Sequence, residues 1–382
     1  MRQWVLSVPP PLRYLLAWDT ELLAAVVRLF MAAVRRHLLA VAKREGIVAR
    51  MSDAELGGVC MVQRFGGSAN LNVHLHALVC DGVFVVPSGD TPGEVVFRGL
   101  PAPQKGEVAA VAWEVCEKVV ALLKKRGQWL DAPPEHDALT EREPLLASLY
   151  GASISGTLVL GEKAGQRQVR LYGAAARSED DDGAQRLKNA YGFDVHAGVR
   201  VAASDRGGLE RLARYMTRPP LSKQRLERQG DGRYRIALKA PWRDGTTHLL
   251  LDGPELVGRL ASFVPPPRFH LTRYFGVFAA RAKLRRAVVP GYGAAHEGGC
   301  CPPEAQPAMA SAEPARESLV TARRRMAWSK LLMRVFAVDV LRCPRCESRL
   351  QRVEVCTSAR SMAAGLSGLE GDTGPPVQHR AA

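Results

Sequence analysis

The stretch that decides the fold is Asn70-Leu71-Asn72-Val73-His74-Leu75-His76-Ala77, in which polar and apolar residues alternate without a break. Successive side chains of a β-strand point to opposite faces of a sheet, so this alternation predicts a strand. Its polar face would carry His74 and His76, and its four apolar residues would enter the core. Two imidazoles on one face, about 7 Å apart at Cβ, can converge on one divalent ion. Because His-x-His also occurs by chance on solvated strands, the tripeptide alone does not establish a metal site.

The residues around this strand predict more strands and a long helix. Alternation at residues 2–9 predicts a first strand, and apolar residues at helical spacing from Leu22 to Val41 predict an amphipathic helix after it. Three strand-like runs surround the quoted stretch, with turns at Gly66-Gly67 and Asp81-Gly82: Val59 to Arg64, Gly82 to Val86 and Glu94 to Arg98. Together these runs predict an antiparallel meander.

The following residues continue the mixture of helices and strands. Helical spacing returns from Lys105 to Arg126. Short strands are predicted at 169–172 and 196–201, and a hairpin at Tyr234 to Leu238 and Thr246 to Leu251, joined through Asp244-Gly245. The predicted fold class is α+β, an antiparallel sheet flanked by helices.

Composition restricts the class of protein. Lys and Arg number 53 against 38 acidic residues, for a net charge of +15, which favours a polyanionic partner and nucleic acid first; the alternative is a merely basic protein. The most apolar stretch, Leu22 to Val34, contains Arg28 and is too short to span a membrane. The first residues resemble a strand rather than a leader, so a cytoplasmic protein is expected. The eight cysteines are scattered, so disulfides are not expected.

A second motif is a short helix predicted at residues 208–218, which Pro219-Pro220 would stop. Its buried stripe would be formed by four residues: Leu209, Leu212, Ala213 and Met216. Arg211, Arg214 and Arg218 would lie on the opposite face, with Tyr215 at the border. Guanidinium groups beside a tyrosine suit a phosphate, so Tyr215 is the candidate nucleophile. The alternative is an amphipathic residue at a helix edge.

Three motifs occur in the order that a known family shows: Arg2 to Pro9, Gln63 to His76 and Arg214 to Leu221. Three more segments add to the likeness, which extends over roughly residues 2–350: Leu238 to His248, Phe275 to Ala279 and Asp339 to Cys346. The chain resembles the HUH single-strand endonucleases, and among them the transposases of rolling-circle insertion sequences.

This resemblance implies a metal-dependent nick in single-stranded DNA. Tyr215 would attack the scissile phosphate, giving a 5′-phosphotyrosine and a free 3′-hydroxyl, and the strand could be rejoined without ATP. Mg²⁺ or Mn²⁺ would lie on His74 and His76. The implied partner is single-stranded DNA of transposon ends and target, bound with the help of Arg211, Arg214 and Arg218, in the bacterial cytoplasm at the nucleoid.

The third metal ligand is left open by the sequence. The family often uses Gln, Glu or Asp, and Gln63 is our choice because it lies on the strand before the Gly66-Gly67 turn. The alternative for Gln63 is a residue that only braces the turn. Asp194 and His196 are the other candidates.

The chain also departs from the family pattern. Some relatives carry two tyrosines four residues apart, whereas Arg211 stands four residues before Tyr215, as expected for the one-tyrosine type of the insertion sequence common region elements. Strand exchange would then need a homodimer on DNA or reuse of Tyr215. The family's N-terminal zinc domain is not found in the sequence, which suggests a truncated gene.

The predicted organisation has four parts. A catalytic domain at 1–225, with an inserted region at about 100–195, precedes an accessory α/β region at 226–290 and a flexible linker at 291–316. The tail at 317–382 combines a basic helix, a CxxC turn and a disordered end. Cys343 and Cys346 have the spacing of half a zinc site, with Cys356 as a third candidate, and the alternative is a proline-stiffened turn with free thiols.

Two other functions compete with transposition. A plasmid rolling-circle replication initiator or relaxase would share the fold and the nick, although no helicase-like P-loop is present. A non-catalytic transposase remnant would bind DNA through its basic surface and form no covalent adduct.

Overall fold

A computed structural model of the chain describes residues 1–85, 95–128, 137–160, 163–172, 191–242, 244–267, 269–289, 342 and 348–349. The chain divides into two compact units, Met1–Cys301 and Pro302–Ala382. Nearly all of the second unit lies outside the described residues, including the predicted basic helix and Cys343, Cys346 and Cys356. The finer division predicted at residues 225 and 290 stays a prediction.

The described residues form an α+β fold whose sheets are antiparallel, as predicted. The strands are β1 (Arg2–Ser7), β2 (Ala54–Glu55), β3 (Gly57–Phe65), β4 (Leu71–Val79), β5 (Gly82–Val85), β6 (Val96–Gly99), β7 (Val169–Tyr172), β8 (Asp194–His196), β9 (Leu226–Arg228), β10 (Tyr234–Ala237), β11 (Thr246–Leu251) and β12 (Thr272–Gly276). The helices are α1 (Pro10–Trp18), α2 (Thr20–Arg44), α3 (Lys105–Lys125), α4 (Ala138–Arg142), α5 (Pro144–Ser155), α6 (Arg206–Met216), α7 (Gly253–Phe263) and α8 (Arg285–Val288). No described helix has the length and apolar character needed to cross a membrane.

The main sheet has five strands in the order β12-β3-β4-β1-β8. The alternation of the quoted stretch is confirmed, because Leu71, Val73, Leu75 and Ala77 are all fully buried. They join the even-numbered residues of β1, such as Trp4, on the face covered by helices α1, α2 and α3. The opposite face, which we call the histidine face, carries His74 and His76.

Helix α2 shows why this core forms. Its apolar residues recur every three or four positions, so one side of the helix is buried along its whole length. Asp19 caps the first turn by accepting a hydrogen bond from Leu22 N at 2.8 Å, and Lys43 and Arg44 complement the dipole at the last turn. Each fully buried Leu or Val contributes about 1.5–3 kcal/mol relative to an exposed one.

The predicted meander was wrong in one respect. Strands β3 and β4 form the expected hairpin, but β5 and β6 belong to a separate three-stranded sheet with β2. The reason is that β1 pairs with the edge of β4 that a meander would leave for β5. The chain therefore leaves the main sheet at Asp81, whose carbonyl accepts from Leu100 N at 3.1 Å.

A four-stranded sheet, in the order β7-β11-β10-β9, packs with helix α7 around a second core. It contains the predicted hairpin, whose turn is closed by a hydrogen bond from Gly245 N to Trp242 O at 2.9 Å. Strand β12, which follows α7, returns to the main sheet beside β3. Residues after 225 therefore contribute to the main sheet and to the four-stranded sheet.

A buried arginine anchors β3 to three helices, α1, α5 and α7. The guanidinium of Arg64 donates to Ala17 O at 2.7 Å, Phe263 O at 3.1 Å, Ser262 O at 3.2 Å and Tyr150 Oη at 3.1 Å. Three of these acceptors lie in the last turns of α1 and α7, where a cation is stabilised by the helix dipole. This network fixes the strand immediately next to Gln63.

Candidate active site

His74 and His76 lie on the histidine face of β4, with their ring centroids 4.8 Å apart. His74 is partly exposed, and its Nδ1 lies 2.7 Å from the carbonyl oxygen of Asn72. Since a carbonyl only accepts, Nδ1 carries the proton of the neutral ring and Nε2 carries the lone pair. The tautomer of His74 therefore suits metal binding through Nε2.

His76 is almost fully buried, at 3% exposure. Burial, and then the nearby charges of His74 and Arg218, lower the pKa of His76 to about 3, so the ring is neutral near pH 7. Its Nδ1 lies 2.9 Å from the Gln3 amide nitrogen, and its buried Nε2 has no hydrogen-bond partner. A buried polar atom without a partner is costly, and a metal ion bound at Nε2 would satisfy it.

Gln63 lies directly opposite His74 in the pairing of β3 with β4. Its amide nitrogen lies 3.5 Å from Met216 O, while its Oε1 is buried without a hydrogen-bond partner. Opposite residues of an antiparallel pair have Cβ atoms about 4.5–5.5 Å apart. Imidazole nitrogens together with an amide oxygen are a donor set that fits Mg²⁺ or Mn²⁺. Among the described residues, no group of three or more His, Cys, Asp and Glu side chains could hold a metal.

Asp194 and His196, the other candidate ligands, lie further from the histidines. In the register of β4, β1 and β8, Ser7 stands between His74 and Asp194, and Val5 stands between His76 and His196. Two strand spacings amount to about 10 Å. This geometry favours Gln63 over both.

Helix α6 brings Tyr215 to the histidines. Leu212 and Met216 are buried against Leu78 on the histidine face, together with Met61. The Tyr215 ring, 37% exposed, stands edge-on to the His76 ring with centroids 6.0 Å apart. The structure thus brings together two motifs that sequence alone could only place separately.

Two details of the predicted helix were wrong. Ala213 is exposed, because α6 contacts the sheet along a narrow seam of residues four apart. The helix also ends at Met216, so Arg218 is not on its outer face but follows its end. The Arg218 Cζ atom lies 4.7 Å from the centroid of the Tyr215 ring.

The three predicted arginines therefore have different positions. Arg211 and Arg214 point into solvent, with side chains 76% and 78% exposed, and pair with Asp205 and Glu210. Of the three, only Arg218 contacts the tyrosine.

Sequence reasoning missed two residues of the site. Lys239, just after β10, has its Nζ 4.7 Å from the centroid of the Tyr215 ring. Gln3 reaches His76 from the neighbouring strand. The only signal for Gln3 was a polar residue in an alternating strand, and Lys239 stood in a segment noted for its family likeness alone.

Comparison with known protein families identifies a match. The profile of a protein family described as "Putative transposase" matches residues 57–286, more than half of the 382 residues. This match includes both histidines, Gln63, Tyr215, Arg218 and Lys239. No curated protein and no solved structure matches the chain significantly.

Proposed function

Because the chain belongs to this transposase family, we propose that it moves DNA by nicking and joining single strands, with Tyr215 as the nucleophile. The observation that carries the proposal is the edge-on contact of Tyr215 with His76, at 6.0 Å between ring centroids. A phenol beside the neutral imidazole of His76 is suited to phosphoryl transfer. The arrangement suits the HUH type of transposase in particular, and we propose that this chain acts by a rolling-circle route.

The covalent step is proposed as follows. The phenolic oxygen of Tyr215 forms a bond to the scissile phosphorus while the bond from phosphorus to the 3′-oxygen breaks. The phenolic proton leaves to water at the exposed edge of the ring, and the departing 3′-oxygen takes up a proton. The product is a 5′-phosphotyrosine. A second 3′-hydroxyl can then attack its phosphorus, which joins the DNA to another strand and releases the phenolic oxygen of Tyr215.

His74, His76 and Gln63 would hold the metal. A bound Mg²⁺ or Mn²⁺ would withdraw charge from the phosphate oxygens. His76 supports this role by remaining neutral, and Gln3 by fixing the orientation of its ring. Helix α6 holds Tyr215 in place through Leu212 and Met216.

A complete transposition needs two strand transfers. Because Arg211 stands four residues before Tyr215, α6 supplies one tyrosine, and we propose that Tyr215 is either reused or supplemented by a second copy of the chain on the DNA. The substrate would place the protein with the bacterial nucleoid.

The test uses single-stranded DNA from the ends of the element, labelled at either terminus and incubated with Mn²⁺ or EDTA. We expect a band that survives denaturing gels, that carries the 3′-terminal label and that requires Mn²⁺. The 5′-labelled fragment should be released with a free 3′-hydroxyl.

The variants are Tyr215→Phe and His74→Ala, with Tyr274→Phe as a matched control at another exposed tyrosine. The covalent band should disappear in the first two and persist in the third. DNA binding without any adduct in the wild type would instead support the non-catalytic remnant. An adduct carrying the 5′-terminal label would contradict the proposed polarity.

A further inference from the structure

We propose that Arg218 and Lys239 form a phosphate clamp over Tyr215 that holds the scissile phosphodiester. Both cations lie 4.7 Å from the centroid of the Tyr215 ring, Arg218 from the end of α6 and Lys239 from the segment after β10. The inference deepens the proposed function and rests on it, since it names the group that this site receives. The clamp also gives the four-stranded sheet a part in the chemistry, because Lys239 follows β10.

The positive charges of Arg218 and Lys239 are not neutralised by described carboxylates. In the part of the chain that the structure describes, neither Arg218 nor Lys239 forms a salt bridge with a carboxylate. Nearby arginines do: Arg214 pairs with Glu210 at 2.7 Å, and Arg235 pairs with Glu227 at 2.5 Å. Arg218 also has its Nε buried without a hydrogen-bond partner. Uncompensated cations at a cleft concentrate positive potential where an anion can bind.

A third cation in this region, Arg225, has a structural role. Arg225 donates from Nε to Ala237 O at 2.7 Å and from Nη2 to Gly67 O. Arg225 thereby ties the four-stranded sheet to the turn between β3 and β4. Arg225 is occupied by backbone carbonyls, whereas Arg218 and Lys239 meet the tyrosine ring.

The two groups differ in chemistry in a way that suits one phosphodiester. The guanidinium can bind two phosphate oxygens through parallel N–H groups, and the ammonium acts as a compact point charge. Without DNA, both rest over the electron-rich ring as cation–π contacts. A phosphate bound by both groups would lie close to the Tyr215 ring, because each cation is 4.7 Å from its centroid.

Such a clamp contacts the backbone and not the bases. We therefore expect it to strengthen binding and cleavage equally for all sequences. Because one linkage lies at the tyrosine, the contribution of Lys239 should be lost when the charge of that single phosphate is removed.

The experiment measures binding in a Tyr215→Phe background, so that it does not depend on cleavage. A set of single-stranded oligonucleotides carries one neutral methylphosphonate, moved along the strand one linkage at a time. The chain with Lys239 is compared with Lys239→Met, and Arg235→Met is the matched control, because it removes a paired cation from the same sheet. Lys239→Arg tests rescue by charge.

We expect one linkage at which the methylphosphonate weakens binding on the order of tenfold when Lys239 is present and has little effect in Lys239→Met. Arg235→Met should keep the full effect. If the methylphosphonate weakens binding equally with and without Lys239 at every linkage, the proposed clamp is wrong.

Cleavage by the wild-type nucleophile gives the second readout. Lys239→Met should slow single-turnover cleavage on the order of 100-fold, with Lys239→Arg restoring most of it. If wild type never cleaves but the linkage-specific loss appears, the proposed function fails and the phosphate site remains. If wild type cleaves and Lys239→Met cleaves equally fast, the clamp fails and the proposed function remains.

Discussion

At the scale of single residues, the orientation of His76 depends on one hydrogen bond. The Gln3 amide meets Nδ1 at 2.9 Å, which leaves Nε2 turned into the site without a partner. An amide can present either its NH2 group or, after a flip, its carbonyl oxygen. With the oxygen toward Nδ1–H, the lone pair of His76 lies on Nε2, as a metal ligand requires.

This contact predicts the effect of Gln3→Leu. Loss of the amide frees the ring and its tautomer, so Mn²⁺ affinity should fall by about 10- to 100-fold. Calorimetric titration with Mn²⁺ measures this affinity. The control is Gln166→Leu, at an exposed glutamine. Gln3→Glu, whose carboxylate accepts from Nδ1–H, should retain affinity. Unchanged Mn²⁺ binding in a folded Gln3→Leu protein would show that Gln3 does not orient the ring.

At the scale of elements, the start of α6 sets the position of the tyrosine. Asp205 caps the helix by accepting from Gly208 N at 2.6 Å. A Cβ at Gly208 would collide with this carboxylate, whereas a Cβ at Gly207 would meet the end of the Arg211 side chain at 3.2 Å and the Asp205 carboxylate at an ordinary contact distance of 3.9 Å. The two adjacent glycines therefore differ in their tolerance of a side chain.

We expect Gly207→Ala to raise the free energy of unfolding by up to about 1 kcal/mol through helix propensity. Gly208→Ala should displace the cap, which costs about 1 kcal/mol and cancels that gain. Thermal unfolding of both variants measures the difference. Equal melting temperatures would mean that the cap adjusts to the methyl group.

The elements also show what the sequence could and could not predict. Helix α2 and strand β4 were found because their periodic patterns are long and each buries one side. Helix α1 was missed because it begins with Pro10-Pro11, which is allowed in a first turn but resembles a breaker. Helix α5 was missed because apolar residues surround nearly its whole circumference. His74, His76 and Tyr215 stand in local motifs, whereas Gln3 and Lys239 act through contacts between distant segments, which no local pattern encodes.

At the scale of the whole molecule, the net charge of +15 overstates the positive charge that is available to the proposed DNA substrate. Many arginines are already paired, as Arg2 is with Asp81 at 2.8 Å and Arg35 with Glu55 at 2.7 Å. Affinity for single-stranded DNA should fall with salt, with a slope of about −0.7 for each phosphate neutralised. Only cations without carboxylate partners should contribute to that slope.

We therefore expect Lys239→Met to make the slope of log affinity against log salt shallower by about 0.7, and Arg235→Met to leave it unchanged. Fluorescence anisotropy between about 50 and 200 mM salt measures both. An equal change in the two variants would show that pairing with Glu227 does not remove Arg235 from the DNA contacts.

The order in which the site residues occur along the chain has a genetic consequence. The histidine pair of β4 is encoded early, and the tyrosine of α6 and the lysine after β10 are encoded much later. A nonsense or frameshift mutation anywhere between these segments would yield a polypeptide that retains both histidines but lacks Tyr215, the proposed nucleophile. Under the proposed mechanism, interrupted copies of such a gene would produce no nicks, however strongly they were expressed.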